Sequence, residues 1–269
     1  AFRASWWRRA TNEVIKLGHT VVTAAMVAIG DELLSGRTKD RNIGHLADVL
    51  TAAGIDLKEV RIVPDEEDRI VEAVDALRQR YRYVFTSGGI GPTHDDITAD
   101  AIARVFGLPC EHDAAALALL GQMYARRGIE FTEARRRMAR MPRGAKHIPN
   151  AVSTAPGFRV ENVYVMAGVP SVFEAMLDAV LPSLEAGTKL VSRSVPFPFG
   201  EGVIGTPLGE IQKAHPETII GSYPKMMEDG RFATEIVIRA REEAKLSQAE
   251  AAVRALLAKL GKEDAGRNS

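Results

Sequence analysis

Asp95 and Asp96 close a glycine-rich run, Thr86-Ser87-Gly88-Gly89-Ile90-Gly91-Pro92-Thr93-His94-Asp95-Asp96-Ile97-Thr98, that follows the apolar residues Tyr83, Val84 and Phe85. Glycine and proline let the backbone turn sharply and approach a ligand, and the N–H groups of such a turn suit a phosphate. Two carboxylates beside a phosphate repel it unless a hard cation lies between them. The residue types therefore point to a phosphorylated ligand held with a divalent metal such as Mg²⁺. The run lacks the Gly-Lys-Ser/Thr ending of a P-loop and the spacing of a dinucleotide fingerprint, so neither ATPase nor nicotinamide chemistry follows. Taken alone, Asp96 reads equally as a helix N-cap and Asp100 as a first-turn acid favoured by the helix dipole.

A second acidic glycine loop precedes it. The apolar run from Val22 to Ile29 ends in Gly30-Asp31-Glu32-Leu33-Leu34-Ser35-Gly36, and the polar stretch beyond it reaches Asn42. A third loop, Ala167-Gly168-Val169-Pro170-Ser171, follows a strand pattern over residues 162–166 and opens a helix over 171–184, with Pro170 placed as a normal helix start. By itself this third loop is a cap; beside the other two it is a pocket wall.

The elements that must position these loops alternate. Ile43, Leu46, Ala47 and Leu50 mark a helix over 40–53 closed by Gly54. A strand over 56–63, a helix over 65–80 with Ile70, Val71, Val74 and Leu77 inward, and the Tyr83 strand complete a βαβαβ unit. Right-handed crossovers make that unit a parallel sheet whose ligands lie outside the carboxyl ends of the strands. In a flavodoxin-like order the first and third strands are neighbours, and the loops at Asp31 and Asp95/Asp96 face each other.

Four segments, GDELLSGRTKDRN, TSGGIGPTHDDIT, MPRGAKHIPNAVSTAPGF and AGVPSVFEAM, together resemble the molybdopterin-binding domain family, in the branch of competence/damage-inducible protein A. The resemblance runs from about residue 23 to 184 and continues weakly beyond. It implies a three-layer α/β/α fold with a mostly parallel sheet and a pocket for a phosphorylated pterin or nucleotide. In related molybdenum-cofactor enzymes the acid matching Asp96 is tied to catalysis. In the competence/damage branch the implied activity is metal-dependent hydrolysis of a pyrophosphate such as that of ADP-ribose. The alternatives are molybdopterin binding or adenylyl transfer in molybdenum-cofactor assembly, and a nucleotide-binding regulator without turnover. Asp31, Asp95 and Asp96 are then the expected catalytic and metal-holding acids. Gly30, Glu32, Ser35, Asn42, Thr86, Gly88, Gly89, Gly91, Pro92, Thr93, Gly168, Pro170 and Ser171 are the expected ligand-binding residues. Ser153 stands where the family often has glycine and Arg143 where an acid is common. No amidase activity of the kind found in two-domain members is expected within 269 residues.

Composition sets outer bounds. The 35 basic and 35 acidic residues leave no global field favouring nucleic acid or a membrane surface. No apolar run approaches the ~20 residues of a membrane helix, so a cytoplasmic protein is expected, as a homo-oligomer of the kind common in the family. Cys110, the single cysteine, has no internal disulfide partner and reads as a small buried hydrophobe. Arginines at 126, 127, 135, 136, 137, 140 and 143 with Lys146 form a basic stretch that reads first as a solvated helix face. A few of them could reach ligand phosphates; nucleic acid ranks last, because no aromatic residues interleave the arginines as a stacking platform.

The domain reading is an extension of unknown role at 1–20, the molybdopterin-binding-like domain at 21–187, a small α+β module at 188–260 and a disordered tail at 261–269. Within the module, strands are expected over 190–195, 218–222 and 232–239 and helices over 206–214 and 247–260. A rigid Pro196-Phe197-Pro198-Phe199 break and a Gly221-Ser222-Tyr223-Pro224 turn punctuate them.

Overall fold

The computed structural model describes residues 20–198, 200–226 and 232–267. The expected extension at 1–20 lies almost wholly outside them, as do residues 268 and 269 of the expected tail. The chain forms two compact units that meet in sequence at residues 187 and 188.

In the first unit, β1 (Val22–Ile29) runs into a single helical turn, α1 (Asp31–Leu34), followed by α2 (Asn42–Ala52), β2 (Ile55–Val63), α3 (Glu67–Arg78) and β3 (Tyr83–Ser87). Beyond the glycine loop come α4 (Thr98–Phe106), β4 (Cys110–His112), α5 (Ala114–Arg126), α6 (Glu133–Arg136), β5 (Arg140–Pro142), β6 (Lys146–Ile148), β7 (Gly157–Val160), β8 (Val163–Met166) and α7 (Pro170–Val180). One six-stranded sheet has the order β2-β1-β3-β8-β7-β6. Strands β2, β1, β3 and β8 run parallel, and β7 and β6 add an antiparallel edge. The expected adjacency of the first and third strands holds.

The central strands β1, β3 and β8 are buried on both faces, and the two-residue period decides what each face meets. Ala25, Val27, Ile29, Val84, Val163 and Val165 pack with Ile70, Val74 and Leu77 of α3, Ile102 of α4 and Leu120 of α5. Ala24, Met26, Phe85, Tyr164 and Met166 pack with Leu46 and Leu50 of α2 and Phe173, Met176 and Leu177 of α7. Phe85 stacks on Tyr164 with ring centroids 5.3 Å apart. The result is three layers, each fully buried Leu, Ile or Phe supplying ~1.5–3 kcal/mol of hydrophobic stabilisation.

Glycines bring the carboxyl ends of these strands together. Gly30 N–H donates to Val63 O at 3.1 Å and Gly88 N–H to Met166 O at 3.1 Å. Gly88, at φ +109°, lies so close to β1 that a Cβ there would sit 2.3 Å from the Ile29 carbonyl oxygen. A side chain at 88 would force the strand ends apart.

In the second unit, β9 (Val191–Phe197), α8 (Gly205–Ala214), β10 (Ile219–Met226), β11 (Phe232–Ala240) and α9 (Glu243–Arg267) form an antiparallel sheet of order β10-β11-β9 with two helices. Ile236 and Ile238 pack with Val195, Phe197, Leu208, Leu246 and Val253. The prolines do not interrupt as the residue types suggest. Pro196 lies inside β9 opposite Glu235, and Pro224 inside β10 opposite Thr234. Both strands are sheet edges, where a missing N–H leaves no ladder bond unmade. Helix α9 continues to Arg267, past the Leu260 limit and through residues 261–267 of the expected tail.

Candidate functional site

The four loops at the carboxyl ends of β1, β2, β3 and β8 surround a cavity of about 430 Å³. Gly88, Gly89, Ile90 and Gly91 border it from the β3 loop. Glu32 stands on the β1 side, Asp65 on the β2 side and Asp95 and Asp96 at the far end of the glycine loop. Ala167, Gly168, Val169, Val172 and Met176 supply an apolar wall from the β8 loop and α7, extended by Met138 and Ala155. Its volume lies in the range of small-molecule sites.

The glycine loop is held by its own ends. Thr98, the first residue of α4, donates its N–H to Gly89 O at 3.0 Å and its hydroxyl to Gly88 O at 3.0 Å. Gly89, at φ +67°, faces that hydroxyl: a Cβ at 89 would lie 2.1 Å from Thr98 Oγ1. Asp96 Oδ2 accepts from Thr93 N–H at 2.7 Å and from Thr93 Oγ1 at 2.5 Å. Asp96 is thus a loop brace rather than an N-cap; Ile97 occupies the cap position of α4 with no side-chain bond. Nor is Asp100 only a dipole partner, for it takes Arg140 in a two-pronged pair at 2.6 and 3.0 Å.

Asn42 joins three elements. From the first residue of α2 its Nδ2 donates to Ser87 Oγ at 2.7 Å and Gly168 O at 2.8 Å. At 4% exposure it is a buried tie between α2, β3 and the β8 loop. Asn150 does similar work in the loop that carries Ser153 and Ala155 to the cavity. Its Oδ1 accepts from the N–H groups of Val152 and Ser153, and its Nδ2 donates to Ser153 Oγ and Ala155 O.

Of the residues expected at the site, the cavity is lined by Gly30, Glu32, Gly88, Gly89, Gly91, Pro92, Asp95, Asp96 and Gly168. Asn42 and Thr93 are not lining residues: Asn42 is a buried tie between loops, and Thr93 is exposed and braces Asp96. Thr86 is enclosed within β3, its hydroxyl buried without a hydrogen-bond partner. Asp31, Ser35, Pro170 and Ser171 are not among the lining residues. Ser35 turns its hydroxyl to Glu32 O at 3.3 Å, and Pro170 and Ser171 form the first turn of α7. Asp31 enters through its backbone, donating its N–H to Asp65 Oδ2 at 2.9 Å.

Asp65 is the cavity acid that sequence reasoning missed. It reads as a helix-start acid before α3, although it follows the end of β2 as Asp31 follows the end of β1. Burial pushes its carboxyl above the ordinary value; the Asp31 N–H opposes this, and the carboxylates of Asp31, Glu32 and Asp95 push it further up. The acids named for a metal, Asp31, Asp95 and Asp96, do not make a cage. Among the described residues no three His, Cys, Asp or Glu side chains converge to hold an ion by themselves.

Four of the eight basic residues of the stretch have structural partners. Arg135 and Arg136 lie over the stacked rings of Tyr124 and Phe131, Arg140 pairs with Asp100, and Arg143 pairs with Glu111.

Residues 25–186 match the sequence profile of the family described as "Probable molybdopterin binding domain". The chain belongs to this molybdopterin-binding domain family. Within it the chain is CinA-like: a CinA-like protein of Citrifermentans bemidjiense is 40% identical over 202 residues, which cover 71% of this chain and 49% of that one. A protein of Caldivirga maquilingensis is 34% identical over 246 residues, 88% of this chain and 96% of the relative. The crystal structure of CinA from Thermoplasma acidophilum, described as of unknown function, aligns with a TM-score of 0.56 at 32% identity over 61% of this chain and 98% of that one. Residues 189–264 match the profile described as the middle domain of FAD synthase. Among the described residues no helix is long and apolar enough to cross a membrane.

Proposed function

We propose that the cavity binds a phosphorylated nucleotide or pterin and that the protein hydrolyses a pyrophosphate bond, with ADP-ribose-like molecules as the substrate class. The observation that carries this reading is the meeting of three surfaces in one cavity: a glycine turn, an apolar wall and an edge of four carboxylates. The wall of Val169, Val172 and Met176 suits a flat ring. The turn at 89–91 suits phosphate oxygens, because Gly88 and Thr93 have already given their N–H groups to Met166 O and Asp96, whereas among the described residues no backbone bond engages those of Gly89, Ile90 and Gly91.

The carboxylates require a counter-charge. A cation such as Mg²⁺ is commonly held by one or two carboxylates together with substrate phosphates, and we assign that part to Asp65 with Glu32 or Asp95, which border the cavity. When bound, such an ion polarises a phosphoryl group and lowers the pKa of water. The chain's own contribution is to orient the pyrophosphate along the glycine turn and to hold carboxylate oxygens where a water proton must go. Asp96, its Oδ2 held by Thr93, is the carboxylate we assign to that proton.

The family's description favours a second reading, in which the same loops hold molybdopterin for cofactor assembly. Calorimetry with ADP-ribose, ADP and adenosine in the presence of Mg²⁺ tests the first. Binding should strengthen from adenosine to ADP-ribose. Equal affinity for adenosine contradicts it, and a pterin retained through purification moves the assignment to the second.

A further inference from the structure

We propose that Arg137 and the turn at 89–91 form an oxyanion notch that takes a single phosphoryl oxygen of the ligand. The inference rests on the reading that the cavity receives a phosphorylated molecule, and it assigns the cation that meets the phosphate.

Arg137 follows α6, on the short turn that leads to β5, and it differs from its basic neighbours. Among the described residues Arg135 and Arg136 stack on aromatic rings, and Arg140 and Arg143 pair with carboxylates, but no ion pair involves Arg137. Its Nη2 donates to the backbone carbonyl of Asp96 at 3.3 Å, which fixes the guanidinium against the glycine loop. Its Nε is buried without a hydrogen-bond partner. A desolvated guanidinium N–H with no acceptor is costly unless something arrives to accept it.

What can arrive is limited by space. Gly89, Ile90, Gly91, Asp96 and Arg137 border a cleft, adjoining the main cavity, with a void of about 10 Å³. That is room for about one water-sized atom. A whole phosphate does not fit; one of its oxygens does. Among the described residues the N–H groups of Gly89, Ile90 and Gly91 have no backbone partner, so the turn and the guanidinium can both donate to the same occupant. Asp96 and Asp100 also border the cleft. Arg140 offsets the charge of Asp100, whereas Asp96 keeps its charge while its Oδ2 accepts from the two donors of Thr93. What the notch lacks is an acceptor for the Arg137 Nε–H and the N–H groups of the turn, and a phosphoryl oxygen supplies one.

The probe is inorganic pyrophosphate, titrated calorimetrically into the full chain with Mg²⁺ present. The parent should bind it, and Arg137→Gln should weaken binding by about tenfold or more, the loss of one charge-assisted contact. Arg137→Lys keeps the charge but not the planar fork and should recover only part of the affinity. If Arg137→Gln fails to fold, the lysine variant decides, and parental affinity in it overturns the proposal. So does parental affinity in a folded Arg137→Gln, or a parent that binds no pyrophosphate. ADP-ribose turnover separates this from the reading beneath it. No turnover by the parent, with pyrophosphate binding still dependent on Arg137, removes the hydrolase reading and leaves the notch; turnover unchanged in Arg137→Gln removes the notch and leaves the hydrolase reading.

Discussion

Asp31 gives its backbone N–H to the carboxylate of Asp65, 34 residues away, and so ties the β1 loop to the β2 loop at the mouth of the cavity. The bond does not repay the burial of Asp65 among other acids, because its carboxyl stays above the ordinary value of 3.8. An acid whose pKa is raised by folding binds its proton more tightly in the folded state. Its contribution to stability is therefore greatest at low pH and falls as pH rises above 3.8.

Asp65→Asn keeps an oxygen for the Asp31 N–H and removes the charge. The variant should melt higher than the parent at pH 7, with the gap closing as pH falls below 3.8, where the carboxyl is protonated in the folded and the unfolded chain alike. It should also lose ligand affinity in Mg²⁺, as expected when a site is kept at some expense to stability. A melting temperature at pH 7 equal to or below the parent's contradicts this account of Asp65.

Gly89→Val tests the loop. At φ +67°, with Thr98 Oγ1 2.1 Å from where a Cβ must go, the substitution strains the backbone and pushes aside the hydroxyl that holds Gly88 O. The expected cost is about 1–3 kcal/mol of stability together with loss of ligand binding. The turn is thus required by the fold as well as suited to a phosphate. Denaturant unfolding with a parental midpoint would refute the packing argument.

Asp96→Asn separates charge from bracing. The amide oxygen can still accept from Thr93, so the stability loss should stay near ~1 kcal/mol, the difference between a charged and a neutral acceptor. Turnover should fall by about 10² or more if the carboxylate handles a proton. Unchanged turnover with a lowered melting temperature would reduce Asp96 to a brace.

Cys110 is predicted to be inert. Burial, reinforced by the Asp100 carboxylate, pushes its thiol up to about 11. At pH 8 only about one molecule in a thousand carries the thiolate, and alkylation should run about 10²-fold slower than that of a free cysteine. Modification of the native protein at the rate of free cysteine would show that the thiol is not shielded.

The parallel half of the fold was legible in the sequence because the apolar runs at Val22–Ile29 and Tyr83–Phe85 lead into glycine loops and helical periodicities lie between and after them. The β1–β3 adjacency, and with it the facing of the Asp31 loop and the Asp95/Asp96 loop, followed from a flavodoxin-like strand order; that Glu32 and not Asp31 turns its carboxylate to the cavity did not. Strands β6 and β7 were not legible: three and four residues are too few to show a period. Pro196 and Pro224 misled, because a sequence does not say which strands are edges. Asp65 was hidden by its resemblance to a helix-start acid, and Thr86 and Asn42 were read as ligand contacts when one is enclosed in β3 and the other ties the loops from behind. Backbone position does not reveal which atoms of a loop face the cavity, and Asp31 shows this by contributing an N–H and not its carboxylate to the rim.

The most direct measurement is the fate of ADP-ribose incubated with the full chain, followed by phosphorus NMR with Mg²⁺ and with chelator. The account predicts that water adds across the pyrophosphate in the presence of the metal, giving one AMP and one ribose 5-phosphate per substrate consumed, and that chelator stops it. ADP-ribose recovered intact with Mg²⁺, or consumed at the same rate with chelator, would contradict the assignment of this cavity to metal-dependent pyrophosphate hydrolysis.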